Sequence, residues 1–295
     1  MKQPAKRQDR KNGRSRTGHK LLVAVAAVLV TAYSVAPFIW MVITSITPEV
    51  TMRDGAIWQS GRGVQYFPGE PTLDNYRTLF DSVPFGLYFR NSAIVATGTM
   101  ILSLTVASLG AYGFTRFRFR GRASLLTAML VAYMIPSVVL LVPLMVMFRT
   151  YGLINTFPGL ILAETTITAP FVLLLMINYL SALPKELEEA AMVDGCSRLG
   201  TLYRIVLPLS LPGLVAGALF AFIISWNNFL FAFLFTNSDS VKTLPVLMRL
   251  FALGEPAVWG VSTAGAVLST LPVALLFLAF QKLFIGGLAA GAVKG

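Results

Sequence analysis

Cysteine and histidine occur once each, at Cys196 and His19, and only 13 of the 295 residues are acidic. A lone thiol forms no internal disulfide and says nothing about redox compartment. One histidine in the N-terminal tail and one cysteine cannot assemble a His/Cys metal site. No HExxH occurs, and no Ser–His pair can form within an apolar span. There is no GxxxxGK[ST] loop to cradle nucleotide phosphates. No catalytic residue, metal ligand or bound cofactor is therefore assigned, and an intramembrane enzyme lacks its parts. Charge of either sign is scarce: 13% of residues against about 25% in an ordinary soluble domain.

What fills the chain is apolar. The hydrophobic fraction is 56% and the mean hydropathy +0.71. A membrane-crossing helix needs roughly 20 consecutive apolar residues. Six runs qualify: 21–43, 91–114, 124–148, 158–180, 211–235 and 257–281. Five hold no Asp, Glu, Lys, Arg or His, and of these types the fourth run holds only Glu164. The alternating segments of about ten residues that mark a membrane β-barrel are missing. The chain reads as an all-α membrane protein with six transmembrane helices. Run 21–43 follows a basic stretch, as a signal peptide does, but a secretory core is only about 7–15 residues long. It is read as a retained anchor.

Lys and Arg collect on the cytoplasmic side of short loops. The tail 1–20 holds eight, residues 115–123 four, 181–210 three and the C-terminal end two, Lys282 and Lys294. These 17 stand on one side against seven on the other: Arg53, Arg62, Arg77, Arg90, Arg149, Lys242 and Arg249. Both termini are therefore read as cytoplasmic. The net charge of +11 is placed where topology and anionic membrane lipid would put it, with no nucleic acid implied. The organisation that follows is a basic tail 1–20, a first span 21–43 and an extracytoplasmic segment 44–90. A core 91–285 then carries the loop 181–210, and a cytoplasmic end 286–295 closes the chain. In segment 44–90, Pro68, Gly69 and Pro71 precede Leu73, Tyr76, Leu79 and Phe80, whose spacing predicts a short amphipathic helix. Residues 236–256 read as a second external loop.

Four of the 13 acids, Glu186, Glu188, Glu189 and Asp194, crowd into the loop 181–210. Pro184 suits a first helical turn, and the three glutamates complement its positive end. Leu187, Ala190, Ala191 and Asp194 recur at 3–4-residue spacing as a face of small side chains. Gly195 falls where a left-handed cap would end the helix. Ser197 begins a second helix with Leu199, Leu202, Tyr203 and Val206 along one stripe, and Pro208 and Pro212 mark the return to the membrane. A helix this short is marginal in water, so the elbow needs a surface to pack on. A soluble partner and the lipid headgroups are both open.

The elbow carries a resemblance. Glu189-Ala190-Ala191, three residues, Gly195, nine residues and Ile205-Val206-Leu207-Pro208 resemble the EAA signature of ABC importer permeases. "PSVVLLVPL" at 136–144, "WNNFLFA" at 226–232 and "GGLAAGAVKG" at the C-terminus look like carbohydrate-uptake permeases of the MalG type. The likeness runs from about residue 21 to the end. Asn228 departs from it, standing where many relatives have an acid. The resemblance implies a MetI-like permease fold in the bacterial inner membrane. It also implies a second, MalF-like permease, two ATPase subunits, an extracytoplasmic solute-binding protein and a sugar substrate. In that reading Glu189, Ala190, Ala191, Asp194 and Gly195 form the helix that couples ATPase closure to alternating access.

Within the spans, Glu164, Asn227 and Asn228 are the candidates for a substrate path. An ionisable group at membrane depth commonly faces a cavity or a partner. Glu164 could accept hydrogen bonds from sugar hydroxyls or contact the other permease, and the asparagines could serve substrate or bind between helices. Gly213 and Gly217 make a GxxxG suited to close packing. The competing reading is a self-contained secondary carrier or channel, but no internal repeat of the kind that builds such carriers is seen.

Overall fold

The computed structural model describes residues 9–48, 50–53, 56–59, 70–253 and 259–292, with side chains for 20–48, 70–251 and 259–281. Pro68, Gly69, Lys294, the first eight residues and the side chains of "GGLAAGAVKG" lie outside the described residues. The chain falls into two compact units: Met1–Thr78 with Glu255–Val267, and Leu79–Gly254 with Leu268–Gly295.

In the first unit, α1 (Asp9–Ser45) contains the first apolar run. Its most apolar 18-residue stretch is wholly exposed, as suits a helix surrounded by lipid or by another chain. A short antiparallel hairpin follows, β1 (Val50–Arg53) pairing with β2 (Ala56–Gln59) from Val50↔Gln59 to Arg53↔Ala56. Val50, Thr51, Ile57 and Trp58 are residue types that favour strands, and this hairpin is the one departure from an all-helical chain among the described residues. The end of α1 is fastened by Asn75, whose amide donates to the carbonyls of Ser45 (2.9 Å) and Thr47 (2.8 Å). The Ser45 and Tyr76 hydroxyls meet at 2.9 Å. Both Asn75 and Tyr76 lie on α2 (Asp74–Ser82), the amphipathic helix expected here. Its stripe is only partly buried: Leu79 is inside, whereas Leu73 and Phe80 are exposed.

The second unit is built on α3 (Phe85–Arg116). Two residues of proline-marked turn lead from α4 (Arg122–Met134) to α5 (Ser137–Thr150), and α6 (Phe157–Ala182) returns alongside α3. The third run is therefore not a straight helix. Ile135 is extended (φ −68°, ψ 123°) ahead of Pro136, which disfavours helical backbone in the residue before it, and α4 and α5 meet at 99°. After the elbow come α7 (Glu186–Val193), α8 (Arg198–Thr201), a π turn (Leu202–Val206) and α9 (Leu207–Leu209). The chain then turns 82° into α10 (Leu211–Trp226). The fifth run also breaks: α10 stops at Trp226, and α11 (Leu230–Phe235) starts afresh. Next come α12 (Leu244–Leu253) and α13 (Trp259–Ala292), the latter containing the last run. Among the described residues, four helices are long and apolar enough to cross a membrane, and counting each bent pair as one span gives up to six.

Helices α3, α6 and α10 form the core. Glycines let them approach closely: a Cβ at Gly213 would lie 2.5 Å from the Tyr179 ring, and one at Gly217 would lie 2.9 Å from Val172. The GxxxG pair thus does pack α10 on α6. Around these contacts Ala107, Ala111, Met176, Leu180, Leu202 and Ala221 are all buried. On the loop before α12, the Asp239 carboxylate accepts from the Tyr88 hydroxyl (2.7 Å) and from Lys242 (3.1 Å), which together hold it below its ordinary pKa. Asn91 donates to the carbonyls of Asp239 and Lys242, so the loop is tied to α3.

Candidate functional site

The elbow is built from its two ends inward. Leu183 is extended after α6, and Pro184 stands two residues before α7 rather than in its first turn. Glu186, Glu188 and Glu189 occupy that first turn, at the positive end of the helix. The other end is a Schellman motif. The Cys196 amide donates to the Ala191 carbonyl (3.0 Å) and the Gly195 amide to that of Met192 (3.1 Å). Gly195 supplies the left-handed residue, φ +88°, that this motif requires. Ser197 then caps α8 by accepting from the Gly200 amide at 3.1 Å.

The faces differ from those the spacing predicts. On α7, Glu188 and Ala191 turn inward, while Glu189, Ala190 and Asp194, with Leu187 and Val193, are exposed. Four of the five candidate coupling residues, Gly195 among them, thus share an outer surface, and Ala191 lies beneath it. In the second helix, Leu202 and Val206 enter the core, whereas Leu199 and Tyr203 point outward. A π turn lies where the two pairs separate. Its i→i+5 bonding widens the helix at Leu202–Val206 and so shifts the angular spacing of this stripe from that of a regular α-helix.

What anchors the inner side is Arg116, the last residue of α3. Its Nε donates to Glu188 Oε1 at 2.5 Å, with both side chains buried (6% and 7% exposed). Its Nη2 donates to the carbonyls of Leu180 (3.0 Å) and Leu183 (3.5 Å), where α6 ends. Next along the chain, the Phe117 ring carries the Arg198 guanidinium 5.1 Å from its centroid. Sequence reasoning missed Arg116 because the alternating Arg116, Arg118, Arg120 and Arg122 look alike as topology-setting charges. The available signal was its place at the last position of an apolar run, opposite an acid-rich helix.

The three substrate-path candidates separate in space. Glu164 is 1% exposed, enclosed by helices of its own chain. Its Oε2 accepts from Ser225 of α10 and, at 3.5 Å, from Thr99 of α3. Its Oε1 has no partner among the described residues. One turn on, the Ser103 and Thr168 hydroxyls meet at 2.6 Å and extend this polar seam between α3 and α6. Asn228 caps α11, its Oδ1 accepting from the Phe231 amide at 3.1 Å. Asn227 is exposed and lines a cavity of about 270 Å³ with Trp226, Leu244, Pro245, Met248 and Ser269. The Trp226 ring stacks on Phe222 (5.6 Å) and meets Phe89 edge-on (5.3 Å), and its N–H donates to the Ser269 carbonyl at 3.0 Å. Among the described residues no group of three His, Cys, Asp or Glu side chains could hold a metal ion.

A membrane helix bundle that presents a capped, acidic elbow has the form of a transporter's membrane subunit. Residues 99–289 match the family described as binding-protein-dependent transport system inner membrane component, and the chain belongs to that family. It is similar to the trehalose/maltose transport system permease protein MalG of Thermococcus litoralis, 37% identical over 279 residues, covering 94% of this chain and 97% of the relative. It is also similar to the sulfoquinovosyl glycerol transport system permease protein SmoH of Agrobacterium fabrum, 35% identical over 277 residues and 94% of each chain. A crystal structure of a bacterial ABC transporter that imports the acidic polysaccharide alginate shares the fold. Its matching chain has a TM-score of 0.76 at 21% identity, with 96% of this chain and 100% of that one covered. The protein is a multi-pass inner-membrane permease component.

Proposed function

We propose that this chain is one permease of an ATP-driven importer for a sugar or oligosaccharide, with both termini in the cytoplasm. It pairs with a second, MalF-like permease, two ATPase subunits bind the cytoplasmic elbows, and an extracytoplasmic solute-binding protein delivers the substrate. The observation that carries this reading is the outer face of the elbow. Glu189, Ala190, Asp194 and Gly195 offer small and acidic groups to a partner, while Glu188 and Ala191 hold the inner side. Small side chains admit close approach of another surface, and the caps at Gly195 and Ser197 keep a short helix formed without one. The names of the relatives support a carbohydrate substrate.

Asn227 is the residue we place on the substrate path, since its amide borders a cavity beside the Trp226 ring. The Asn227 Nδ2 donates to the Ile223 carbonyl at 2.8 Å, and its Oδ1 can accept from a sugar hydroxyl entering the cavity. Glu164 and Asn228 serve the path indirectly, by joining α3, α6 and α10 and by starting α11. A self-contained secondary carrier is not favoured. The test is reconstitution with labelled trehalose and maltose. The purified chain alone in liposomes should hydrolyse no ATP and import neither sugar under a proton or sodium gradient. Gradient-driven uptake by this chain alone would establish the carrier instead.

A further inference from the structure

We propose that Arg116 is the positioning residue that carries movement of the elbow into the membrane helices α3 and α6. This rests on the coupling reading of α7. One guanidinium joins three elements: it belongs to α3, binds Glu188 of α7 through Nε, and binds the last carbonyls of α6 through Nη2. The adjacent Phe117 adds a fourth, receiving Arg198 of the second elbow helix. The outer face of α7 is free for a partner, so a force applied there has to reach the bundle through what holds the inner face. The α7 side chains buried on that inner side are Ala191, a single methyl group, and Glu188, which pairs with Arg116 and also interacts with the Tyr112 hydroxyl of α3. A methyl group can slide over its neighbours. A buried, directional ion pair resists displacement, because parting it leaves a charge without a partner in a dry site.

The choice of arginine follows from the same geometry. Its planar fork aims two N–H groups in fixed directions, so one side chain reaches a carboxylate and helix-end carbonyls together. Lysine is a point charge with no such fork. Three other arginines of the same loop, Arg118, Arg120 and Arg122, form no ion pair among the described residues, so positive charge at this end of α3 is not by itself what makes the joint.

The experiment uses the complete transporter in proteoliposomes and measures ATP hydrolysed per sugar imported, with copurification of all subunits as the assembly check. Arg116→Ala and Glu188→Ala should each raise that ratio about tenfold or more, and the double variant should be no worse than the worse single, as expected for two residues acting through one contact. Arg116→Lys should fall between wild type and Arg116→Ala. Normal ratios in assembled single variants, or single effects that multiply in the double, overturn the proposal. Should either alanine variant fail to assemble, Arg116→Lys and Glu188→Gln decide: a normal ratio in both overturns it, and a raised ratio supports it. Ala190→Trp separates this from the coupling reading itself. If it blocks uptake while the Arg116 and Glu188 variants behave as wild type, only the clasp fails. If Ala190→Trp also transports normally, the elbow is not the docking face.

Discussion

Replacing Gly195 tests the bend between the two elbow helices at a single torsion angle. The residue has φ +88°, and nothing lies within 4 Å of where a Cβ would stand. A substitution there meets no neighbour, so its whole cost is backbone. Left-handed backbone costs an L-residue about 1–2 kcal/mol, and a β-branched side chain is the worst case. Asparagine tolerates this region and ends helices in its own right. The helix it caps has only eight residues, too few to form alone in water, so a loss of this size is large relative to what holds α7. The Cys196 and Gly195 amides would lose their acceptors at Ala191 and Met192. The expected order of transport is wild type, then Gly195→Asn, then Gly195→Ala, with Gly195→Val lowest and down about tenfold or more, since about 1.4 kcal/mol is a factor of ten. Uptake into proteoliposomes, normalised to assembled complex, measures it. Wild-type uptake by Gly195→Val, or Asn no better than Val, would refute the reasoning.

Substitutions at two further positions, Glu164 and Gly213, probe the bundle. Glu164→Gln keeps the shape and a hydrogen-bonding acceptor toward Ser225 and Thr99, and should retain most uptake. Glu164→Ala leaves a cavity and frees two buried hydroxyls, for a loss of about 2–5 kcal/mol. It should lower the thermal midpoint of the purified complex and its uptake together, and an unchanged midpoint and uptake would show that the seam does not need the carboxyl. At Gly213, alanine brings a Cβ within 2.5 Å of the Tyr179 ring. The overpacking should cost about 1–3 kcal/mol, read as a lowered midpoint, with Gly113→Ala, which meets nothing within 4 Å, as the control.

The sequence disclosed the membrane class through missing charge, and the elbow through two local signals, Gly195 and Ser197, that act on their own neighbours. Both lessons have a limit in range. Counting apolar residues passed straight over Ile135-Pro136, although a proline restricts the residue before it, because composition carries no direction. It likewise ran past Asn227 and Asn228 into Leu230–Phe235, whose side chains are as apolar as a span's although they form a separate six-residue helix. Ala190 and Ala191 are identical in type and adjacent, so only the position of the bundle decides which is covered. Glu164 was visible as an oddity, but its closure depends on Thr99 and Ser225, which lie 65 and 61 positions away. The same holds for Arg116 and Glu188, 72 positions apart. Contacts at that range require helix packing that no local pattern encodes.

Cys196, the only sulfhydryl in 295 residues, lies directly after Gly195 and is half-buried. Its main-chain amide is locked to Ala191, so its Cα cannot travel without the end of α7 travelling too. A fluorophore or spin label carried on that sulfur would have no second attachment point on this polypeptide. The protein thus carries its own reporter position at the end of α7, and changes in the surroundings of that label can be followed without first removing any other thiol from the chain.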